Sequence, residues 1–295
     1  GLTYDYIFIV PIIVTSIGVF VLEFKIDIPL WAKITLPFSF YIVYQLSVVS
    51  RSYCLVFPFM IGICYYYKDM LKKPFHFAFF AILLATTNSY GFMLGAAFSA
   101  ILLLNYLRAM SCKTPKVFET NLEILSAIKA LLYIAIAYLF IVISIIPAND
   151  CSFGVPGQVI LKRIPYIITK VGLFSINNFA VVMIFSLLFL AFIVYAFGKD
   201  TFEALFPTII IFLYVWAFYG AEWHYSIVYI ALVSAFIIFK DAPRKPKKKR
   251  FIGIVCSILL VVQMICGFHS ICYDICNKYT GAEKASEFVE ELYNI

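Results

Sequence analysis

Apolar residues follow one another in long runs along almost the whole chain, and polar residues collect in the short stretches between these runs. A helix needs about 20 mainly apolar residues to cross the hydrocarbon core of a bilayer, so the runs predict an all-α polytopic membrane protein with about ten transmembrane helices. The predicted crossings are 7–22, 30–49, 53–67, 75–87, 90–107, 125–146, 173–197, 207–221, 225–239 and 251–269. The fourth and fifth crossings form one close hairpin and the eighth and ninth form another. A re-entrant segment in either hairpin would lower the number of crossings to about eight or nine.

The composition supports this interpretation. Of the 295 residues, 64% are hydrophobic and 13% are charged, whereas a soluble domain has about a quarter of its residues charged. The mean hydropathy is +0.98. One water-soluble core cannot bury this much apolar surface, so the composition excludes a soluble globular enzyme and a disordered chain.

The distribution of positive charge predicts the orientation. The net charge of +7 is interpreted as a topology signal, and no nucleic-acid partner is expected. The most basic segment is 240–250, KDAPRKPKKKR, and placing it in the cytoplasm assigns most of the 23 Lys and Arg residues to the same side. We therefore expect an integral protein of the plasma membrane, with both ends of this chain on the extracytoplasmic side.

Two segments on the predicted outer side are longer than a turn. Within the extracytoplasmic loop 147–172, the stretch VILKRIPYIITK predicts one interfacial amphipathic helix. In 270–295, Thr280 and Glu283 form a capping box, and apolar residues follow it at helical spacing. We therefore expect a transmembrane domain over 1–269 and the start of a C-terminal extracytoplasmic domain that continues beyond this chain.

The sequence offers few signals for cofactor chemistry. The eight cysteines form no C-x-x-C pair and the three histidines are scattered, so no metal site is expected. There is no P-loop, no G-x-G-x-x-G after a strand and no G-x-S-x-G. No cofactor is predicted, although a divalent cation would be compatible with the sequence.

Polar residues at the predicted outer ends of the helices are the candidate site. The candidates for binding a lipid phosphate or a substrate are Arg51, Tyr53, Asn88, Lys162, Arg163 and His224. Arginine and lysine at the lipid–water boundary suit a phosphate headgroup. Structural roles stay open for each of these residues, since the cations can anchor helix ends, Asn88 can cap a helix and His224 can be a turn residue.

The segments that carry these residues resemble one family. YQLSVVSRSYCLVFPFMIGICYYY, the basic loop KDMLKKP, the polar turn TTNSYG, the histidine at a hairpin tip and the closing YTGAEKASEFVEEL are similar to GT-C-type membrane glycosyltransferases, of the mannosyltransferase-like, family-39-like kind. The resemblance implies an enzyme that moves a sugar from a polyprenyl-phosphate donor to an extracytoplasmic glycan, lipid or protein acceptor. The chain departs from the family pattern at Gln45, where an acid often stands, and at Trp223, where a basic residue commonly precedes the histidine.

The resemblance also implies a catalytic Asp or Glu in the first external loop. We expect that loop upstream of Gly1, so the catalytic residue of this chain stays unknown. The prediction for the donor is that Arg51, with Lys162 or Arg163 and with His224, contacts the carrier phosphate. A base for the acceptor hydroxyl and positive charge for the leaving phosphate are the two requirements of such a transfer.

Two other classes of protein fit the same composition. One is a transporter or flippase of a lipid-linked sugar, which should show internal repeats and broken helices near the midplane. The other is a polysaccharide polymerase or ligase, which should carry its catalytic groups in a large external loop. The chain has no visible repeat and its ionisable residues lie near helix ends, which favours an enzyme that acts at one membrane face.

Overall fold

The computed structural model describes residues 6–47, 52–111, 121–145, 161, 163–173, 178–198, 202–218 and 222–277. Every regular element in this part of the chain is helical. The α-helices are α1 Tyr6–Lys25, α2 Leu30–Thr35, α3 Val56–Tyr66, α4 Pro74–Thr87, α5 Ser89–Ser111, α6 Asn121–Ile145, α7 Arg163–Gly172, α8 Phe179–Phe197, α9 Phe202–Ala217, α10 Tyr225–Ile238 and α11 Pro246–Cys276. A π-helix at Phe40–Leu46 and 3-10 turns at Leu36–Phe38, Ser52–Leu55, Tyr67–Asp69 and Glu222–His224 complete the elements.

Four of these helices are long and apolar enough to cross a membrane: α5, α6, α8 and α11. Large apolar side chains remain exposed on the outer faces of several helices, such as Phe140 on α6 (67% exposed) and Leu188 on α8 (64% exposed). Exposed apolar surface of this extent is typical of helices that contact lipid. The all-helical fold is therefore compatible with an integral membrane protein, and the number of ten crossings stays a prediction.

Helix α10 lies at the centre of the bundle. Twelve of its fourteen residues are buried, because α3, α7, α9 and the π-helix pack against different faces of it. Its sequence, YSIVYIALVSAFII, has no polar stripe, which is the pattern of a helix that has no face toward water. The central position of α10 holds the segments on either end of it, including the turn with His224, at fixed places in the bundle.

The predicted hairpin of 75–87 and 90–107 is confirmed as α4 and α5, which meet at Asn88. Small residues let the two helices approach each other closely. A Cβ atom on Gly95 would lie 2.6 Å from the Ala81 carbonyl oxygen, and a Cβ on Gly91 would lie 2.3 Å from the Leu84 carbonyl oxygen. Glycine at these two positions therefore sets the distance between α4 and α5, as at many close helix contacts in membranes.

The predicted crossing 30–49 is not one continuous helix. Helix α2 ends at Thr35, and Pro37 lies in the 3-10 turn that follows it. Proline has no amide hydrogen with which to continue the helix, and Ser39 is extended at φ −62° and ψ 147° before the π-helix begins. These two interruptions could not be predicted from hydrophobicity, because the apolar run continues through both of them.

Three other boundaries also differ from the sequence-based prediction. The predicted crossing 173–197 begins only at Phe179, since Asn178 caps α8 by accepting hydrogen bonds from the amides of Ala180 (3.0 Å) and Val181 (3.2 Å). The predicted basic loop 240–250 ends at Lys245, because α11 starts at Pro246, a residue suited to a first helical turn. Of the predicted segment 270–295, α11 includes the first part, and 278–295 lies outside the described residues.

Candidate functional site

The structure brings three of the predicted outer segments together around His224. This residue ends the turn Glu222–His224, directly precedes α10 and is 1% exposed. Its Nε2 atom lies 3.1 Å from the Tyr53 hydroxyl oxygen, within hydrogen-bond distance. The Tyr90 ring, in the first turn of α5, stacks on the imidazole with ring centroids 4.5 Å apart. Residues that are far apart in sequence thus form one buried cluster, which we call the His224 cluster: His224, Tyr53 and Tyr90.

Further aromatic rings enclose the His224 cluster. Tyr53 meets Tyr90 edge-on at 6.1 Å, and Tyr214 of α9 meets the other side of Tyr90 at 5.3 Å. The Trp223 indole lies 5.7 Å from the imidazole, also near edge-on. Edge-to-face and stacked contacts at these distances are favourable, so the imidazole is held in one orientation by rings from several helices.

Asn88 fixes the start of α5 and so the position of Tyr90. Its Oδ1 atom accepts a hydrogen bond from the Gly91 amide at 2.9 Å, which is the interaction expected of a helix cap. Its Nδ2 group is buried and has no hydrogen-bond partner among the described residues. Asn88 therefore has a structural role through its oxygen and keeps a buried donor that could serve a ligand.

Helix α7 brings positive charge beside the His224 cluster. The Lys170 ammonium lies 5.9 Å from the centre of the Tyr225 ring, and Tyr225 is the residue after His224. The Lys170 carbonyl oxygen accepts a hydrogen bond from the Tyr41 hydroxyl at 2.8 Å, which ties α7 to the π-helix. Arg163, at the first turn of α7, is half-buried and lies about 10 Å from Lys170 along the helix axis, from a rise of about 1.5 Å per residue.

The six predicted site residues differ in where the structure places them. The structure brings Tyr53 and His224 into contact and places Asn88 two residues before Tyr90 at the same turn. Arg163 lies farther away, on the same helix as Lys170. Arg51 and Lys162 lie outside the described residues. The binding roles of all six stay predictions.

The candidate binding residues chosen from the sequence did not include three tyrosines of this region. Tyr90 follows Asn88 closely in the polar turn TTNSYG, so the sequence did contain a signal for it. Tyr214 lies inside an apolar run and Tyr225 opens another, and neither is distinguishable by sequence from the other tyrosines of this chain. Their positions become evident only from the packing of α9 and α7 against α10.

Two acidic residues near predicted outer helix ends are candidates for the acceptor side, Asp274 and Glu222. Asp274, near the end of α11, accepts a hydrogen bond from the Tyr44 hydroxyl at 2.6 Å and is held by it. The backbone of Glu222 lies in the turn before His224. Within the described part of the chain, no three His, Cys, Asp or Glu side chains are grouped so that they could hold a metal ion.

Residues predicted to face the cytoplasm meet at the opposite end of the bundle. The Arg108 guanidinium lies 2.6 Å from a Glu203 carboxylate oxygen, and Lys68 pairs with Asp241, just beyond the end of α10. Helix α10 separates this end from His224 by about 20 Å, from its 14 residues and a rise of about 1.5 Å each. The two predicted groups of polar residues therefore lie at two different ends of the structure.

Comparison of the chain with protein families, with curated proteins and with solved structures found no match.

Proposed function

We propose that this protein is a membrane glycosyltransferase that takes a sugar from a polyprenyl-phosphate donor and transfers it to an extracytoplasmic acceptor. The observation that carries the proposal is the contact between Tyr53 and His224 at 3.1 Å, with Tyr90 stacked on the imidazole. Two segments that resemble parts of GT-C-type enzymes, around Tyr53 and around His224, meet at this contact.

The groups at this end suit a sugar phosphate. An imidazole N–H and an ammonium group such as that of Lys170 can donate charge-assisted hydrogen bonds to phosphate oxygens. The half-buried Tyr53 ring offers apolar surface to the C–H groups of a sugar ring. The same positive charge stabilises the lipid phosphate as it leaves and gains negative charge.

The acceptor side also needs a base, which the described residues do not identify. A carboxylate has to take the proton of the acceptor hydroxyl as the glycosidic bond forms. Asp274 already accepts a hydrogen bond from Tyr44, and the structure assigns no other carboxylate of the described residues to this role. The part of the function that this chain can be tested for is therefore donor binding.

The test is binding of polyprenyl phosphate, with unphosphorylated polyprenol as the reference lipid, to the purified chain in phosphatidylcholine nanodiscs. We expect the phosphate to increase affinity. Loss of one charge-assisted hydrogen bond costs about 1.5–3 kcal/mol, so His224→Gln and Lys170→Met should each raise the Kd for polyprenyl phosphate about tenfold or more. His269→Ala is the matched control, because His269 is an exposed histidine near the end of α11.

Equal affinity of the wild-type chain for polyprenol and its phosphate would contradict the proposal. So would equal losses in His224→Gln and His269→Ala. Tyr53→Phe separates the roles at the cluster: it removes the hydroxyl at 3.1 Å from the imidazole and keeps the ring. We expect a smaller loss of polyprenyl-phosphate binding from it than from His224→Gln, because the imidazole that donates to the phosphate remains.

A further inference from the structure

A second candidate site lies at the other end of α10. An elongated cavity of about 540 Å³ runs between α2, α8, α10 and α11. Its walls are almost entirely apolar and include Phe189 and Phe192 of α8, Leu232 of α10 and Leu260 of α11. Four basic residues line the cavity at one end: Lys240, Arg244, Lys249 and Arg250. We call this cavity the basic-mouthed groove.

The groove is long enough to hold a lipid chain. Along α11 the lining extends from Pro246 to Gln263, a distance of about 26 Å at a rise of about 1.5 Å per residue. One leaflet contributes about half of a hydrocarbon core that is about 30 Å thick. Gln263 lies at the far end, where its amide donates a hydrogen bond to the Leu173 carbonyl oxygen. An extended acyl chain from one leaflet therefore fits between the basic end and this amide.

Charge at the mouth is positive and only partly neutralised. Lys240 lies 3.1 Å from Asp27, and Asp241 pairs with Lys68, so both nearby carboxylates are already engaged. Arg244 has no ion-pair partner among the described residues, and burial lowers the pKa of its guanidinium. A half-buried guanidinium without a carboxylate partner can pair with a phosphate from outside the chain.

The first turn of α11 adds to this positive field. Pro246 begins the helix and also lines the groove, and the amides of the first turn have no carbonyl partner within the helix. The helix dipole favours negative charge at this position. Lysines and arginines near an anionic bilayer surface act in the same direction.

We propose that the basic-mouthed groove binds an anionic phospholipid, with its phosphate at Arg244 and Lys249 and one acyl chain along α11. The outer faces of α8 and α11, which flank the groove, carry exposed apolar residues such as Leu188 and Ile254, so both helices present surface suited to lipid beside it. The mouth is about 20 Å from His224 along α10, so this lipid is distinct from the donor of the proposed reaction. Under the predicted orientation it comes from the cytoplasmic leaflet.

The test is native mass spectrometry of the purified chain titrated with phosphatidylglycerol or phosphatidylcholine of the same acyl composition. We expect tighter binding of phosphatidylglycerol. Each basic residue near an anionic lipid contributes about a fivefold change in affinity. The double variant Arg244→Gln with Lys249→Gln should therefore bind phosphatidylglycerol about thirtyfold more weakly. Phosphatidylcholine binding should change little, because only the charge recognition is removed.

A matched control and a second variant make the result decisive. Lys72→Gln with Lys73→Gln removes the same charge from another exposed basic segment and should leave affinity within about twofold. Gly253→Phe fills the groove at a position where an added Cβ meets no atom within 4 Å. This variant should weaken the binding of both lipids.

Three outcomes would overturn the proposal. The first is equal binding of the two lipids by the wild-type chain. The second is an equal loss in the Lys72 and Lys73 control, which would indicate general surface charge. The third is displacement of phosphatidylglycerol by an equimolar amount of polyprenyl phosphate, which would make the groove a polyprenyl-phosphate site. Since the phosphatidylglycerol variants do not touch the His224 cluster, their result is independent of the proposed sugar transfer.

Discussion

The close contact of α4 and α5 predicts a specific penalty for Gly95→Ala. The new Cβ would lie 2.6 Å from the Ala81 carbonyl oxygen and 2.5 Å from the Tyr138 hydroxyl oxygen, whereas ordinary contacts begin at 3.4 Å. The tyrosine side chain can turn away, but the carbonyl belongs to the backbone of α4. The two helices must therefore separate by about 0.8 Å at this level.

The magnitude follows from comparison with a glycine that has free space. Overpacking of a well-packed contact costs about 1–3 kcal/mol, and replacing glycine by alanine in a helix gains about 1 kcal/mol. Gly253 lies in α11, and a Cβ there meets nothing within 4 Å. Gly253→Ala therefore gains helix propensity without a steric clash. The difference between the two variants, in which the helix-propensity gain cancels, should be about 1–3 kcal/mol in favour of Gly253→Ala.

Thermal unfolding of the two variants in the same detergent measures this difference. For a chain of this size, 1 kcal/mol corresponds to a change of about 2–4 °C in Tm, so Gly95→Ala should unfold about 2–12 °C below Gly253→Ala. Equal Tm values for the two variants would refute the close approach of α4 and α5. The same result would count against the position of Tyr90 beside His224, because Tyr90 lies at the turn of this hairpin.

Two further predictions concern the end of the bundle opposite His224. Glu203 accepts hydrogen bonds from Asn105 and from Arg108, at 2.6 Å for the latter, and Arg108 is 60% exposed. Glu203→Ala should therefore lower the free energy of unfolding by about 1–3 kcal/mol and Arg108→Ala by less than about 1 kcal/mol; equal losses in denaturant titrations would contradict this. The hydrogen bond from Lys68 lowers the pKa of Asp241, so its small stabilisation is present at neutral pH and is lost as pH falls below the usual carboxyl range. Asp241→Asn should remove that part of the pH dependence of Tm, and a profile unchanged by the substitution would count against the pair.

Much of the helical fold could be predicted from hydrophobicity, and its interruptions could not. The runs located α4, α5, α6 and α10 within a few residues, because each is one uninterrupted apolar helix. The run 30–49 is as apolar as these, yet Pro37 and Ser39 divide it into short elements. A hydropathy pattern shows which residues avoid water. It does not show where the backbone hydrogen bonds of a helix are interrupted.

The site was predictable as a set of residues and not as a geometry. Polar side chains near helix ends in an apolar chain are few, so Tyr53, Asn88 and His224 could be identified from the sequence alone. Which of them meet depends on the order in which helices pack around α10, and this order is set by many small contacts. Lys170 illustrates the limit, because its position beside Tyr225 depends on α7 packing against α10.

Helix α10 is a shared wall of the two proposed sites, and this determines how they can be separated by mutation. Tyr225 begins the helix next to the His224 cluster, and Tyr229, one turn later, lines the basic-mouthed groove. The Tyr41 ring lies 4.9 Å from Tyr229, and its hydroxyl donates to the Lys170 carbonyl oxygen, so the two sites are also joined through the π-helix. Substitutions in the middle of α10 would therefore disturb both sites. Only changes at its two ends, at the imidazole and at the basic mouth, can assign a ligand to one site or the other.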